Sequence, residues 1–270
     1  MNLSDRVSAF LFRHGIRGST RFHQAVCRGK RIAVRTKHGV VLSVDPHEYV
    51  DGFVLRHGYY EEEVLTAITD NLAPGDLFWD VGSNLGLHAL TVARLRRDVR
   101  ICAFEPNPVM AGLIRAAAAA NRAGIDVLEL ALDSQAGVAE FYLHPGNAGR
   151  SGLHNWASDP TLRHIEVVTA RGDDLVAQAR ALAPNVIKID VEGNEARVLE
   201  GMPVLCADHR LHTVIFEDSV IESTAAKQRL RAAGFEIHAL ARREATHHDL
   251  ENFLARRKPA RLPGGDQASG

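Results

Sequence analysis

Short apolar runs alternate with helix-forming segments along most of the chain beyond residue 76. The runs are rich in Val, Ile and Phe and are bounded by Gly, Pro, Asn or Asp, which favours buried β-strands. Strands that alternate with helices predict a doubly wound, mostly parallel α/β sheet. We predict seven strands for this sheet, over residues 77–81, 99–104, 126–132, 186–191, 212–216, 235–240 and 252–255.

The connecting segments carry helix and turn signals. Amphipathic or helix-forming stretches span residues 61–72, 85–96 and 107–124, and Asn107-Pro108 is a good start for the third of them. Residues 137–143 and 165–169 are predicted as added strands on either side of a polar loop, residues 144–158. Long polar loops of this kind often belong to a binding site.

The N-terminal part of the chain differs in charge from the rest. Residues 1–38 contain nine Lys or Arg and one acidic residue, Asp5. A helix over residues 2–27, interrupted at Gly15 and Gly18, and a β-hairpin over residues 31–44 are expected there. We divide the chain into an N-terminal helix and hairpin extension (residues 1–55), a main domain (residues 56–258) and a disordered tail (residues 259–270).

Composition excludes several classes of protein. The chain is 46% hydrophobic with a net charge of −1, which is typical of a globular protein and excludes general disorder. No apolar run approaches the roughly 18 residues of a membrane-spanning helix, and no secretory signal is expected. Cys27, Cys102 and Cys206 are widely spaced, which predicts reduced thiols and a cytoplasmic location.

The first predicted strand ends in Asp80-Val-Gly-Ser-Asn-Leu-Gly86. Gly82 and Gly86 allow a ligand to approach the backbone closely, and Asn84 tolerates a left-handed conformation. The spacing departs from the G-x-G-x-x-G pattern of dinucleotide sites. A carboxylate at Asp80 would repel a pyrophosphate, whereas it would attract the ammonium and sulfonium groups of S-adenosylmethionine.

The next two strand ends also carry acidic residues. Glu105 follows the second strand, 25 residues after Asp80, where a carboxylate can accept both ribose hydroxyls of an adenosine. Leu132 and Asp133 follow the third strand and could flank an adenine ring. Ligands of such sheets bind beyond the carboxyl ends of the strands, so these residues are expected to line one site.

The fourth strand contains alternating charges. Lys188, Asp190 and Glu192 are two residues apart and would share one face of a strand. Buried charges on a central strand need partners, so an internal ion pair between Lys188 and Asp190 is one explanation. The other places Asp190 and Glu192 at the mouth of an active site.

Three blocks of this sequence resemble the FkbM family of methyltransferases: Asp80-Val-Gly-Ser-Asn-Leu-Gly86, Ala103-Phe-Glu-Pro-Asn-Pro108 and Ile187-Lys-Ile-Asp-Val-Glu-Gly193. Gly58-Tyr-Tyr-Glu61 and Phe216-Glu217 also resemble that family, and the similarity extends over about residues 55–240. The resemblance implies a Rossmann-like class I fold and S-adenosylmethionine as cofactor. It also implies O-methylation of a sugar, a polyketide or another natural product.

The resemblance suggests roles for particular residues. Those surrounding the methionine end, the ribose and the adenine of the cofactor would be Asp80, Gly82, Ser83, Asn84, Gly86, Glu105, Asn107, Leu132 and Asp133. For catalysis we expect Asp190 as base or orienting group, assisted by Glu192, with His88 as the alternative base. Asp190, Glu192 and Glu217 could together hold a divalent ion, but three acids without fixed spacing are a weak signal and no metal is predicted.

Two other functions remain open from the sequence. A nicotinamide-dependent oxidoreductase is disfavoured by Asp80 and by the missing middle glycine, and no Tyr-x-x-x-Lys pair is present for hydride chemistry. A nucleic-acid methyltransferase or binding module would use the basic N-terminal segment, but few aromatic residues accompany the charges there. We therefore expect a small-molecule hydroxyl acceptor, no membrane span and no nucleic-acid partner.

Overall fold

The computed structural model describes residues 3–23, 25, 30–155, 162–240 and 250–257. Cys27, residues 156–158 of the predicted polar loop and the predicted tail at residues 259–270 lie outside these ranges. Cys102 and Cys206 are buried free thiols. Among the described helices, none has the length and apolar character needed to cross a lipid bilayer.

The N-terminal extension has the predicted helix and hairpin. Two helices precede a two-stranded antiparallel sheet, and Gly15 and Gly18 adopt positive φ where the helices are interrupted. Two further helices lead to the main sheet. The helix that contains Gly52 was not predicted, because glycine disfavours a helix interior. The elements are α1 (Leu3–Arg13), α2 (Ser19–Phe22), β1 (Ile32–Arg35), β2 (Val41–Val44), α3 (Tyr49–His57) and α4 (Glu62–Asp70).

A seven-stranded sheet forms the centre of the protein, as predicted. Its strands are β3 (Leu77–Val81), β4 (Arg100–Phe104), β5 (Asp126–Leu128), β9 (Val186–Ile189), β10 (Thr213–Ser219), β11 (Phe235–Ala239) and β12 (Leu250–Arg257). They lie in the order β11-β12-β10-β9-β3-β4-β5. All neighbouring pairs are parallel except those that β12 makes with β10 and β11. This topology is that of the Rossmann-like class I methyltransferase fold, so the predicted fold class is confirmed.

A smaller sheet branches from the main one. It contains β6 (Ala131–Leu132), β7 (Gly137–Leu143) and β8 (Arg163–Ala170) in the order β6-β8-β7. The prediction of one strand over residues 126–132 was therefore wrong. Since β4 ends at Phe104, Leu128 is the last residue that can pair with it. The chain then leaves the main sheet and Ala131 pairs with β8.

Helices cover both faces of the main sheet. Alternate residues of β3 show this directly, because Phe78 packs into one apolar cluster while Leu77, Trp79 and Val81 pack into the other. The helices after β3 are α5 (Leu87–Leu95), α6 (Pro108–Asn121), α7 (Gly172–Ala177), α8 (Glu195–Glu200), α9 (Pro203–Ala207) and α10 (Ala225–Ala232). As predicted, Asn107 caps α6, with its side chain accepting a hydrogen bond from the Val109 amide.

The order in which strands are added to the sheet reverses between the two central, parallel strands β3 and β9. The chain proceeds from β3 to β4 on one side and later from β9 to β10 on the other. This reversal opens a crevice beyond the carboxyl ends of β3 and β9. Asp80 pairs with Lys188 across these two strands. The Lys188 ammonium lies 3.5 Å from Asp80 Oδ1 and 3.1 Å from Asp190 Oδ2, and both Lys188 and Asp80 are buried.

We predict that Lys188→Met destabilises the protein by about 3–5 kcal/mol, because it leaves two carboxylates without their buried cation. Denaturant unfolding measures this change. The matched control is Arg229→Ala, which breaks a more exposed ion pair with Glu200 and is expected to cost less than about 1 kcal/mol. Equal losses in the two variants would contradict the prediction.

Gly201 lies at a close backbone contact between the end of α8 and the segment after β6. A Cβ atom at Gly201 would overlap the carbonyl oxygen of Asp133. Since both partners are backbone, a side chain here can be accommodated only if the two segments move apart. Gly112, inside α6, has open space around it instead.

We expect Gly201→Ala to lower the free energy of unfolding by about 1–3 kcal/mol through overpacking. Gly112→Ala is the matched control and should raise it by about 0.5–1 kcal/mol, since alanine favours a helix interior. Thermal and urea unfolding of both variants test the pair. A neutral Gly201→Ala would show that the contact is not rigid.

Candidate active site

A cleft with about 580 Å³ of empty space lies beyond the carboxyl ends of β3, β4 and β9. Its polar lining comes from residues that follow these strands, and its apolar wall comes from the smaller sheet and the loop after β7. The lining includes Gly82, Asn84, Glu105, Asn107, Asp190 and Asn194, with Leu130, Leu132, Phe141 and Leu153 as apolar contacts.

The turn between β3 and α5 is shaped by positive φ angles at Gly82, Asn84 and Gly86 (77°, 48° and 74°). The amides of Gly82 and Ser83 both donate to the Phe104 carbonyl at 3.0 Å, which ties the turn to β4. A Cβ atom at Gly82 would overlap the carbonyl oxygen of Asp190. Glycine is therefore required here both by conformation and by space, and we call residues 82–86 the glycine turn.

Asp80 lies behind the glycine turn and is not part of the cleft lining. Its Oδ2 accepts a hydrogen bond from the Ala89 amide in the first turn of α5, at 3.1 Å. Its Oδ1 has no hydrogen-bond partner and faces the Lys188 ammonium. Asp80 is only 1% exposed, so its carboxylate contributes to the site by holding the start of α5 and the Lys188 ammonium in place.

Glu105 lies on the cleft wall and holds two turns together. One carboxylate oxygen accepts from the Asn84 amide at 2.7 Å and the other from the Asn107 amide at 2.9 Å. Burial raises the pKa of this carboxyl to about 7, although both amides oppose the rise. Glu105 is therefore a hydrogen-bonding group at the junction of β3 and β4.

The Asp133 carboxylate is bound by Arg197 and does not face the cleft lining. Arg197 donates to both of its oxygens at 2.7 and 2.9 Å, and the Ser134 amide donates at 2.7 Å. Burial raises the pKa of Asp133, but Arg197 outweighs it and the pKa is below its ordinary value. Leu132 lines the cleft, whereas Asp133 does not.

Three acidic side chains meet beside the cleft: Asp190, Glu192 and Glu217, which we call the carboxylate cluster. Of these, Asp190 belongs to the cleft lining. One oxygen from each lies within 4.8 Å of the others. Burial, reinforced by the neighbouring charge of Asp190, raises the pKa of Glu192 to about 8 and that of Glu217 to about 9. Burial also raises the pKa of Asp190, and Lys188 opposes this rise.

The position of Glu192 differs from the prediction. β9 ends at Ile189, and only the Asp190 amide extends its pairing, by donating to the Val81 carbonyl at 3.0 Å. The chain then turns at Glu192 and Gly193, where φ is 55° and 88°. Glu192 therefore reaches the cluster from this turn and not from a strand face shared with Lys188.

His88 does not line the cleft. Its Nδ1 lies 3.1 Å from the Tyr59 hydroxyl and its Nε2 lies 3.6 Å from Glu61. Glu61 has a φ of 55° and also accepts a hydrogen bond from the Asn252 amide group at 3.1 Å. Burial raises the pKa of Glu61, but His88 outweighs it and the net shift is downward.

Sequence reasoning did not assign roles to Glu61 or Asn194, although each lies in or beside a quoted block, and it considered Glu217 only as a candidate ligand of a divalent ion. The carboxylate cluster offers oxygen ligands of the type that Mg²⁺ and Ca²⁺ prefer. Such clusters are also common without an ion, so the arrangement alone assigns no metal.

The loop after β7 closes one side of the cleft. Ala148, Gly149, Ser151 and Leu153 belong to its lining. The loop is fastened to the start of α3, since the Tyr49 amide donates to the Gly146 carbonyl at 3.0 Å and the Ala148 amide donates to Glu48 at 2.7 Å. The N-terminal extension thereby supports the site.

Two curated relatives are similar to this chain. The hexuronic acid methyltransferase AglP of Haloferax volcanii is 31% identical over 142 residues, which cover 53% of this chain and 56% of that protein. The 31-O-demethyl-FK506 methyltransferase FkbM of Streptomyces tacrolimicus is 29% identical over 181 residues, covering 57% of this chain and 65% of that protein. The chain thus spans between half and two thirds of these relatives.

Solved methyltransferase structures are also similar. The precorrin-6y C5,15-methyltransferase of Geobacter metallireducens superposes with a TM-score of 0.47 at 14% identity, covering 74% of this chain and 89% of its own. The fibrillarin of Aeropyrum pernix, solved with natively bound S-adenosyl-L-methionine, superposes with a TM-score of 0.43 at 14% identity, covering 72% and 74%.

The family profile described as "Methyltransferase FkbM domain" matches residues 80–258, which is more than half of the chain. The matched region starts at the end of β3 and includes the glycine turn, Glu105 and the carboxylate cluster. The chain belongs to the FkbM family of S-adenosylmethionine-dependent methyltransferases.

Proposed function

We propose that this protein transfers the methyl group of S-adenosylmethionine to a hydroxyl of a sugar, a polyketide or another small natural product. The observation that carries the proposal is the cleft of this FkbM-family chain, in which Asp190 lies beside the glycine turn at the reacting end. The names of the two relatives support this substrate range, since one is a hexuronic acid methyltransferase and the other a 31-O-demethyl-FK506 methyltransferase. A cytoplasmic location, where this cofactor is made, is part of the proposal.

The cleft offers a consistent place for each part of the cofactor. The backbone of the glycine turn would hold the methionine end, Glu105 the ribose hydroxyls and the wall at Leu130–Leu132 the adenine. In this arrangement Ser83 and Asn107 stabilise the turns, through the Asp80 carbonyl and the Val109 amide respectively. In this arrangement Asp80 lies behind the glycine turn, holds α5 and Lys188 in place, and does not contact the cofactor directly.

The proposed chemistry needs alignment and a proton acceptor. When bound, the cofactor would supply a sulfonium methyl group, whose carbon–sulfur bond breaks as the carbon bonds to the acceptor oxygen, with S-adenosylhomocysteine as the leaving group. In-line alignment would provide much of the rate. We propose that Asp190 takes the hydroxyl proton. A raised pKa makes a carboxylate a better base, and the Lys188 ammonium 3.1 Å away favours the ionised form of Asp190. Both ring nitrogens of His88 face other groups, which disfavours it as the base.

Glu192 and Glu217 suit a hydroxyl-rich acceptor. With pKa values of about 8 and 9 they carry protons at neutral pH and can both donate and accept hydrogen bonds. The nicotinamide-dependent alternative loses its support, because the family match covers the region that would have bound the nucleotide.

We expect Asp190→Asn to reduce methyl transfer by about 10²–10⁴-fold, the contribution of a general base, while S-adenosylhomocysteine still binds. Glu105→Gln should instead weaken S-adenosylhomocysteine binding by about 10–100-fold, since charge-assisted bonds to the ribose are lost. Calorimetric titration and a methyl-transfer assay across sugar and polyketide acceptors separate the two effects. Glu166→Gln, at an exposed position of β8, is the control that should change neither.

Full activity of Asp190→Asn would exclude Asp190 as the base. Titration of the wild type with NADH in place of S-adenosylhomocysteine tests the cofactor itself. Saturable binding of NADH alone would overturn the proposed function.

A pH-dependent loss of stability is expected for the cofactor-free protein. The folded pKa values of Glu192 and Glu217, about 8 and 9, lie above the ordinary value of a glutamate. The stabilisation that these protonated groups provide is complete at low pH and is lost as the pH rises through the folded values. The melting temperature should therefore fall between pH 7 and pH 9 in a buffer that contains a chelator.

Glu217→Gln should reduce this decline, because glutamine cannot ionise, whereas Glu166→Gln should not. Thermal unfolding followed by circular dichroism at several pH values measures the slopes. A melting temperature that rises from pH 7 to pH 9 in the wild type would contradict the prediction.

A further inference from the structure

Asp133, which the sequence analysis placed beside the adenine ring, is bound to another side chain in the structure. Asp133 directly follows Leu132, which lines the cleft, yet its carboxylate is held by Arg197 at 2.7 and 2.9 Å. A carboxylate in two charge-assisted hydrogen bonds is strongly committed to its partner. Asp133 is therefore poorly placed to accept a further bond from a ligand in the cleft.

Asn194 is a second polar residue at this end. Only 1% of it is exposed and it lines the cleft. Its amide nitrogen lies 3.4 Å from Asp133 Oδ1, to which it donates. Its amide oxygen is buried and has no hydrogen-bond partner. Most buried polar atoms in proteins are satisfied, so an unpaired oxygen beside a binding cleft calls for a ligand donor.

The orientation of the Asn194 amide is fixed by Asp133. An ionised carboxylate only accepts hydrogen bonds, so it requires the NH₂ group of Asn194 on its own side. The oxygen of Asn194 must then be directed away from Asp133. Arg197 keeps Asp133 ionised and in place, which maintains this orientation.

We propose that the Asn194 amide oxygen accepts a hydrogen bond from the exocyclic amino group of the cofactor's adenine, and that Asp133 is a positioning residue for Asn194. This inference rests on the cofactor placement described under the proposed function. It assigns recognition of the base to the turn after β9, which lines the same cleft as the apolar wall at Leu130–Leu132. Asn194 thereby distinguishes adenine from bases that carry a carbonyl at the same ring position.

The test compares two ligands on each variant. S-Inosylhomocysteine carries a ring carbonyl where S-adenosylhomocysteine carries the amino group, so the substituent at this ring position can no longer donate to Asn194. Calorimetric titration of the wild type should give at least about tenfold tighter binding of S-adenosylhomocysteine, the factor of one hydrogen bond. Asn194→Ala should bind both ligands with nearly equal affinity.

The ratio of the two affinities is insensitive to a partial folding defect, because both ligands are measured on the same protein. Asn194→Ser provides a second, smaller change, and should also reduce the ratio. Asp133→Ala is expected to lower the ratio in part, since the Asn194 amide is then free to rotate. Asn147→Ala, in the loop after β7, is the control and should keep the wild-type ratio.

Three results would overturn the inference. A wild-type ratio near one would show that the amino group is not recognised. An unchanged ratio in Asn194→Ala, with a lost ratio in Asp133→Ala, would assign the contact to Asp133. Failure of the wild type to bind either ligand would overturn the proposed function and this inference with it.

Discussion

The rest of the site depends on the buried ion pairs that Lys188 makes with Asp80 and Asp190. Its ammonium is buried between Asp80 on β3 and Asp190 at the end of β9. These are the two strands between which the order of strand addition reverses. Burial would lower the pKa of this ammonium, but the two carboxylates outweigh it and raise the pKa above its ordinary value. One fixed cation thus compensates two anions, and their strand ends stay together at the base of the cleft.

The sheet was predictable because its signals are local. The apolar runs of β3, β4, β9 and β10, together with the turns after them, follow from strand periodicity and from Gly, Pro and Asn positions. The break between β5 and β6 was not predictable, since it depends on where the neighbouring β4 ends. Helix α3 was missed because Gly52 lies inside it, where a Cβ atom would come within 3.3 Å of the Pro46 carbonyl.

The site was predictable in its backbone and less so in its side-chain partners. Gly82 and Glu105 could be assigned from their positions at strand ends, and the structure places both at the cleft. The partner of Asp133 could not be predicted, because Arg197 is 64 residues away and no sequence motif links the two residues. The left-handed turn at Glu192 likewise depends on Glu195, which accepts hydrogen bonds from the Val191 and Gly193 amides at 3.1 Å.

The hydrogen bond between Asn252 and Glu61 has a consequence for the order in which the protein is made. It joins residues 191 positions apart and connects β12 to the segment that contacts His88. During synthesis the glycine turn and Glu105 emerge from the ribosome early, whereas this contact must wait for β12. A nascent chain that ends before β12 contains most of the cleft residues but leaves Glu61 without Asn252. Completion of the site is therefore tied to the last strand of the sheet.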